Sequence, residues 1–264
     1  MGKAQRQIYF TAAMVAALLL VPAVNVGAQV TLAQAQVMVN SNQRDEVEAG
    51  IQSLGVLGSK KAVEVLVQRV RLGLPTDLLD LAISTLTALG QPGAGPLLFE
   101  LSAHRRPETR IKAIDAVAAL NPPGSEAVLV AALSDSDVRV RGRAATALGE
   151  IGAQGALPTL FHALDRGVFE ASGAIGRVIP ANQLGRLLGY LNQLPMSSIG
   201  PSLMQVLERK DISEQAKLEV VARFQEVGTS EAKAFLMDFL ARAGKGASAT
   251  LVKAIRVAIQ QIAQ

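Results

Sequence analysis

An all-α fold, a solenoid of stacked antiparallel helix pairs forming a superhelix, is predicted by three features of this sequence. A motif recurs as Leu54-Gly55-Val56-Leu57-Gly58, Leu86-Thr87-Ala88-Leu89-Gly90, Val117-Ala118-Ala119-Leu120-Asn121 and Leu148-Gly149-Glu150-Ile151-Gly152. Its final residues, Gly58, Gly90, Asn121 and Gly152, are 32, 31 and 31 apart, and Gly and Asn tolerate the left-handed conformation that ends a helix. Self-similarity at such a period marks a stack in which each repeat buries its apolar face against its neighbours. Half of the 264 residues are hydrophobic and only 3% are aromatic, so the apolar content is aliphatic and suits closely packed helices.

The first element is an address. Lys3 and Arg6 give a positive start, Ile8 to Val24 is an apolar run, and Val26-Gly27-Ala28 is a small-residue cleavage pattern. Residues 1–28 are therefore expected to be a signal peptide, cleaved between Ala28 and Gln29. The product would be periplasmic or secreted, with no stable membrane insertion after cleavage. The competing reading is an uncleaved anchor, but its 17 apolar residues are at the short end of a bilayer span. The absence of Cys removes a lipoprotein acylation site and any disulfide framework. Without Lys3 and Arg6, the 26 basic and 22 acidic residues become 24 against 22, an almost even surface.

Residues 29–42 are polar and Gln/Asn-rich and read as an N-terminal tail with room for one short helix. The repeat array is expected over 44–264, with regular units at 44–75, 76–106, 107–137 and 138–167. In the first helix of each unit a small residue (Gly50, Ala82, Ala113, Ala144) precedes aliphatics at Leu54, Leu86, Val117 and Leu148. A second aliphatic set follows at Leu57, Leu89, Leu120 and Ile151, completing one helical face. The second helix carries Leu66, Leu98, Leu129 and Leu160 at one position and Val67, Phe99, Val130 and Phe161 at the next, both expected in the core. Pro107 and Asp137 belong at helix starts, through fixed φ and N-capping. The pattern weakens over 168–212, where a shortened fifth unit and an extra helix from Ser197 to Glu208 are read. Residues 213–243 restore a pair, and 248–263 form an amphipathic capping helix whose polar side suits the end of an array.

The fourth unit, Asp135 to Asp165, resembles the HEAT-repeat superfamily, closest to the short bacterial type also found in phycobilin-lyase-related proteins. Asp137-Val138-Arg139, Ala144-Ala145, Ala147-Leu148-Gly149, Ile151-Gly152 and Ala156-Leu157-Pro158 carry the resemblance. It is good over 44–167 and partial over 213–243. It implies an α-solenoid with first helices outside and second helices lining a concave face. It implies no activity, because one scaffold serves many roles.

Catalytic chemistry finds no support in the sequence. The two histidines, His104 and His162, have no Glu beside them, so the paired His-Glu motifs of hydroxylases built on HEAT-like repeats are absent. No metal site is expected. There is no Cys nucleophile, Gly-x-Ser-x-Gly elbow or phosphate loop, and no cofactor is expected.

Two surfaces remain as binding candidates. Arg105, Arg106, Arg110, Arg139, Arg141 and Arg143 form the densest positive region, suited to an anionic envelope polymer or glycan. The same arginines lie near Asp135 and Asp137, and charges at such spacing commonly cap helices and pair across units. Nucleic acid is disfavoured by the exported address and the scarcity of stacking aromatics. On the second helices, Gln68, Glu100, Ala131 and His162 are equivalent positions, so Gln68, Glu100 and His162 would form a row along the concave side. The ordinary reading of that row is a solvated helix face. The function that fits best is an exported, non-catalytic scaffold binding another envelope protein.

Overall fold

The computed structural model describes residues 30–242 and 246–262. The targeting segment read over residues 1–28 lies outside them, as do the last residues of the 213–243 pair and the 248–263 helix. All regular structure among the described residues is helical, with 15 α-helices and no strand. In chain order they are α1 (Leu32–Val39), α2 (Arg44–Leu57), α3 (Lys60–Arg71), α4 (Thr76–Leu89), α5 (Gly95–Leu101), α6 (Pro107–Leu120), α7 (Ser125–Ala132) and α8 (Val138–Glu150). They continue as α9 (Leu157–Asp165), α10 (Glu170–Val178), α11 (Leu184–Leu188), α12 (Met196–Glu208), α13 (Glu214–Val227), α14 (Ser230–Arg242) and α15 (Ala249–Gln261).

Local chemistry sets the helix ends. Ser59, Asp137, Ser213 and Ser248 each accept a backbone N–H of the first turn that follows them, satisfying a donor with no intrahelical partner. The repeated terminal residues adopt the left-handed conformation, with φ of 61° at Gly58, 66° at Gly90, 42° at Asn121 and 69° at Gly152. Asn121 is the one non-glycine with positive φ among the described residues, consistent with the tolerance of Asn for this region.

Helices α2, α4, α6, α8, α10, α12 and α14 stack successively into a first layer. The alternate helices form the second layer, where α3, α5, α7 and α9 pack on the first-layer helix of the following unit. Both faces of each unit are therefore core. Leu54, Leu86, Val117 and Leu148 are wholly buried, as are Leu66, Leu98, Leu129 and Leu160. The outer first-helix set, Leu57, Leu89, Leu120 and Ile151, is only half-buried against that core. Small residues allow the first layer its close stacking. A Cβ on Gly149 would lie 2.8 Å from the Cα of Ala174, and one on Gly50 would lie 2.8 Å from the Cα of Val39.

Two segments differ from the sequence reading. Residues 29–42, read as a tail with room for one short helix, contain α1, which is no loose tail element but packs on α2 and α3. A reciprocal cap starts it: Gln34 N–H donates to the Thr31 hydroxyl and Thr31 N–H to the Gln34 side chain. Ala35 and Val39 of this helix are wholly buried. In the second half, α12 does more than add a helix, because it takes the first-layer place on α10. The following helix, α13, has the 14 residues and left-handed Gly228 cap of a first helix. It nonetheless stands in the second layer against α11 and α15, and α14 returns to the first.

Arginines at helix ends, two in the second layer and one after α12 of the first, tie units through backbone carbonyls. Arg69 Nε donates to Val39 O at 2.7 Å, Arg166 Nη2 to Leu133 O at 3.1 Å and Arg209 Nη1 to Ile179 O at 2.6 Å. Each bond satisfies an acceptor at a helix C-terminus, where a cation also complements the helix dipole.

Candidate functional site

The second layer presents the row expected from the equivalent positions. Gln68, Glu100, Ala131 and His162 are all exposed. Of the residues beside them only Phe161 is wholly buried, and Val67, Phe99 and Val130 are half-buried. The expectation that all four lie in the core is therefore corrected. Phe161 is roofed by Arg186 and Tyr190 from the next unit, whereas the ring of Phe99 is faced by Gly124, which has no side chain to cover it. Glu100 is exposed but not free, since Arg71 Nη2 donates to its Oε1 at 2.5 Å across the unit boundary. The row is thus Gln68 at one end, an Arg71–Glu100 pair in the middle, and His162 at the other.

Beside His162 lies a group that repeat alignment did not reveal. The Arg186 guanidinium carbon lies 3.9 Å from the ring centroid of Phe161. Tyr190 stacks on the same ring, with centroids 5.9 Å apart and planes at 16°. Its hydroxyl donates to Asp165 Oδ1 at 2.5 Å. Burial, followed by the neighbouring Asp165 carboxylate, raises the Tyr190 phenol pKa, so the hydroxyl stays protonated as donor. Arg186 and Tyr190 fall in the irregular stretch where no register exists to place them. The available sequence signal was Tyr190 itself, one of only two tyrosines.

The arginine cluster is largely engaged in the capping and pairing that the sequence reading set beside an anionic-ligand patch. Arg110, with side-chain exposure of 10%, donates to Asp135 at 2.6 Å and to His104 O at 2.9 Å. Removing one partner of such a buried pair costs about 3–5 kcal/mol. Arg139 bridges Glu108 of the previous unit at 3.0 Å and Asp137 at 2.8 Å, and it holds the Asp137 carboxyl down to about 2. Arg143 bridges Asp115 and Glu150, and Arg141 donates to the carbonyls of Asp135 and Ser136. Arg105 and Arg106 remain exposed without a carboxylate partner among the described residues. Arg139–Glu108 and Arg143–Asp115, with Arg44–Asp77 and Lys112–Asp80, both at 2.5 Å, make a ladder along the first layer, each of these four rungs joining consecutive units.

Neither histidine has the surroundings of a metal ligand. His104 Nδ1 accepts from Arg106 N–H at 3.2 Å, and burial together with Arg105 and Arg106 lowers its pKa. Among the described residues no three of His, Cys, Asp and Glu gather into a group able to hold a metal ion. No described helix is long and apolar enough to cross a membrane.

Comparison with known proteins gives a family match in the middle of this array. Residues 95–171 match the family model described as HEAT repeats. No curated protein matches this chain. Among solved structures, the complex of CpcE and CpcF of phycocyanin lyase from Nostoc sp. PCC7120 is similar at 18% identity, covering 91% of this chain and 97% of that one with a TM-score of 0.47. An engineered protein is similar at 16% identity over 88% of this chain and 96% of that one, with a TM-score of 0.40. Human deoxyhypusine hydroxylase in complex with glycerol is similar at 19% identity over 88% of this chain and 84% of its own, with a TM-score of 0.30.

Proposed function

Because residues 95–171 match the family model described as HEAT repeats, we propose that this chain is a non-catalytic interaction scaffold that engages a protein partner through its second-layer face. The observation that carries this reading is the difference between the two layers. On the first layer from α2 to α8, four inter-unit ion pairs take up Arg44, Lys112, Arg139 and Arg143. On the second layer, Gln68 and His162 stand exposed with no side-chain partner among the described residues, on either side of the Arg71–Glu100 pair. A partner lying along the array meets polar groups one and two units apart, the kind of extended recognition that stacked repeats provide.

We further propose that the scaffold works outside the cytoplasm, in a bacterial envelope. The positive start, apolar run and small-residue pattern at Val26-Gly27-Ala28 support this address. The alternative occupant, an anionic envelope polymer, is weakened because Arg110, Arg139 and Arg143 already hold carboxylates.

The test is affinity capture from the envelope fraction with two variants. Replacing Gln68, Glu100 and His162 together by alanine is expected to reduce capture strongly while leaving melting almost unchanged, since exposed substitutions rarely shift stability by more than about 0.5 kcal/mol. Reversing Arg139, Arg141 and Arg143 to glutamate is expected to reduce capture less and to lower stability, because it breaks the inter-unit pairs. Loss of capture only in the arginine reversal, at unchanged stability, would replace this reading with the anionic-polymer one.

A further inference from the structure

The Arg186 group singles out one point on the second-layer face. Arginines 110, 139, 143, 209 and 242 each pair with a carboxylate, and Arg69 and Arg166 donate to backbone carbonyls. Arg186 is exposed and pairs with no carboxylate among the described residues. Its guanidinium carbon nonetheless sits 3.9 Å from the centroid of the Phe161 ring, which is itself stacked on Tyr190. Part of the guanidinium faces the Tyr190 hydroxyl, whose pKa burial and Asp165 raise and Arg186 lowers. The nearest acid on α9, Asp165, is occupied by the Tyr190 hydroxyl.

Stacking fixes the plane of a guanidinium without using its in-plane N–H donors. A guanidinium already held over a ring loses less freedom when the donors not facing Tyr190 take a planar acceptor, and a carboxylate matches that geometry. His162, next in chain to Phe161, and Arg166, one turn further along, lie on the same side of α9, and Arg166 already donates to Leu133 O. Both are exposed, so the site is open surface and suits a side chain borne on a partner.

We propose that Arg186 is the anchor of the second-layer face and that it takes an aspartate or glutamate side chain of an acidic segment in the partner protein. This rests on the partner-binding reading above and specifies the chemistry of its strongest contact. It also gives Tyr190 and Phe161 a positioning role, since they orient the fork without touching the ligand.

The probe is a fluorescein-labelled glutamate–glycine repeat peptide, titrated against the purified protein at low salt, with a lysine–glycine peptide as control. The decisive variant is Arg186→Met, because methionine still covers the Phe161 ring but carries no donor. The proposal expects glutamate-peptide binding by the native protein and a loss of about tenfold or more in Arg186→Met at unchanged melting temperature. Arg186→Lys should lose nearly as much, because a point charge lacks the fork, while Arg143→Met on the other layer should bind normally. Undiminished binding in Arg186→Met overturns the proposal and leaves Arg186 as a cover for Phe161. Polyphosphate displacing the peptide at equal charge concentration, in an Arg186-dependent manner, overturns the acidic-protein ligand in favour of a polyanion. The envelope capture reads the two proposals apart. Capture that depends on Gln68 and His162 but not on Arg186 sinks the anchor alone. Peptide binding at Arg186 without any envelope capture sinks the scaffold reading alone.

Discussion

Truncating Leu148 to alanine is expected to destabilise the protein by about 2–5 kcal/mol, read by chemical denaturation. Leu148 is wholly buried on α8, between the second-layer helices and its first-layer neighbours. Alanine there removes buried methyl groups and opens a cavity that the stacked helices cannot fully collapse. Val117 is the equivalent residue one unit earlier and is equally buried. Val117→Ala removes fewer carbon atoms and should cost less. Wild-type stability in both variants would show that these positions do not carry the stacking.

The second large effect is expected from adding one carbon where two helices touch. A Cβ on Gly176 of α10 would come within 2.7 Å of the Ser202 Cα on α12, a backbone atom that cannot turn aside. Gly176→Ala therefore forces α10 and α12 apart, and overpacking of this kind costs about 1–3 kcal/mol or more. Gly173, one turn earlier on α10, has nothing within 4 Å of an added Cβ. Gly173→Ala should be neutral or stabilising, because it removes the entropic penalty of a helical glycine. Equal destabilisation by the two alanines would show that helix propensity, rather than the α10–α12 contact, governs this stretch.

What the sequence made legible follows from repetition. The period placed Leu54, Leu86, Val117 and Leu148 at one buried position because each unit meets its neighbours in the same way. Where repetition stopped, so did the reading. Helix α1 is allowed for in the sequence as one short helix, but its docking on the array is masked by glutamines and asparagines, although Thr31 and Gln34 stand at the spacing of a reciprocal cap. Helix α13 looks like a first helix in length and cap yet stands in the second layer, because α12 has already filled the first-layer place. No local pattern encodes that shift. The candidate surfaces were legible as positions but not as partnerships. Arg139 and Glu108 lie 31 residues apart, and only the stacking of α6 on α8 shows that they meet. Glu100 was readable as exposed, but its pairing with Arg71 was not. Arg186 and Phe161, 25 residues apart, come together through an irregular connection that no repeat alignment spans.

The central claim, that a protein partner lies along the second layer, is tested most directly by hydrogen exchange of the chain with and without its captured envelope partner. Exchange reports local opening of backbone amides, and a bound partner slows it where it lies. The account predicts added protection concentrated in α3, α5, α9 and α11, with α4, α6 and α8 little changed. Protection confined to α6 and α8, around Arg139 and Arg143, would contradict it and place the binding surface on the first layer.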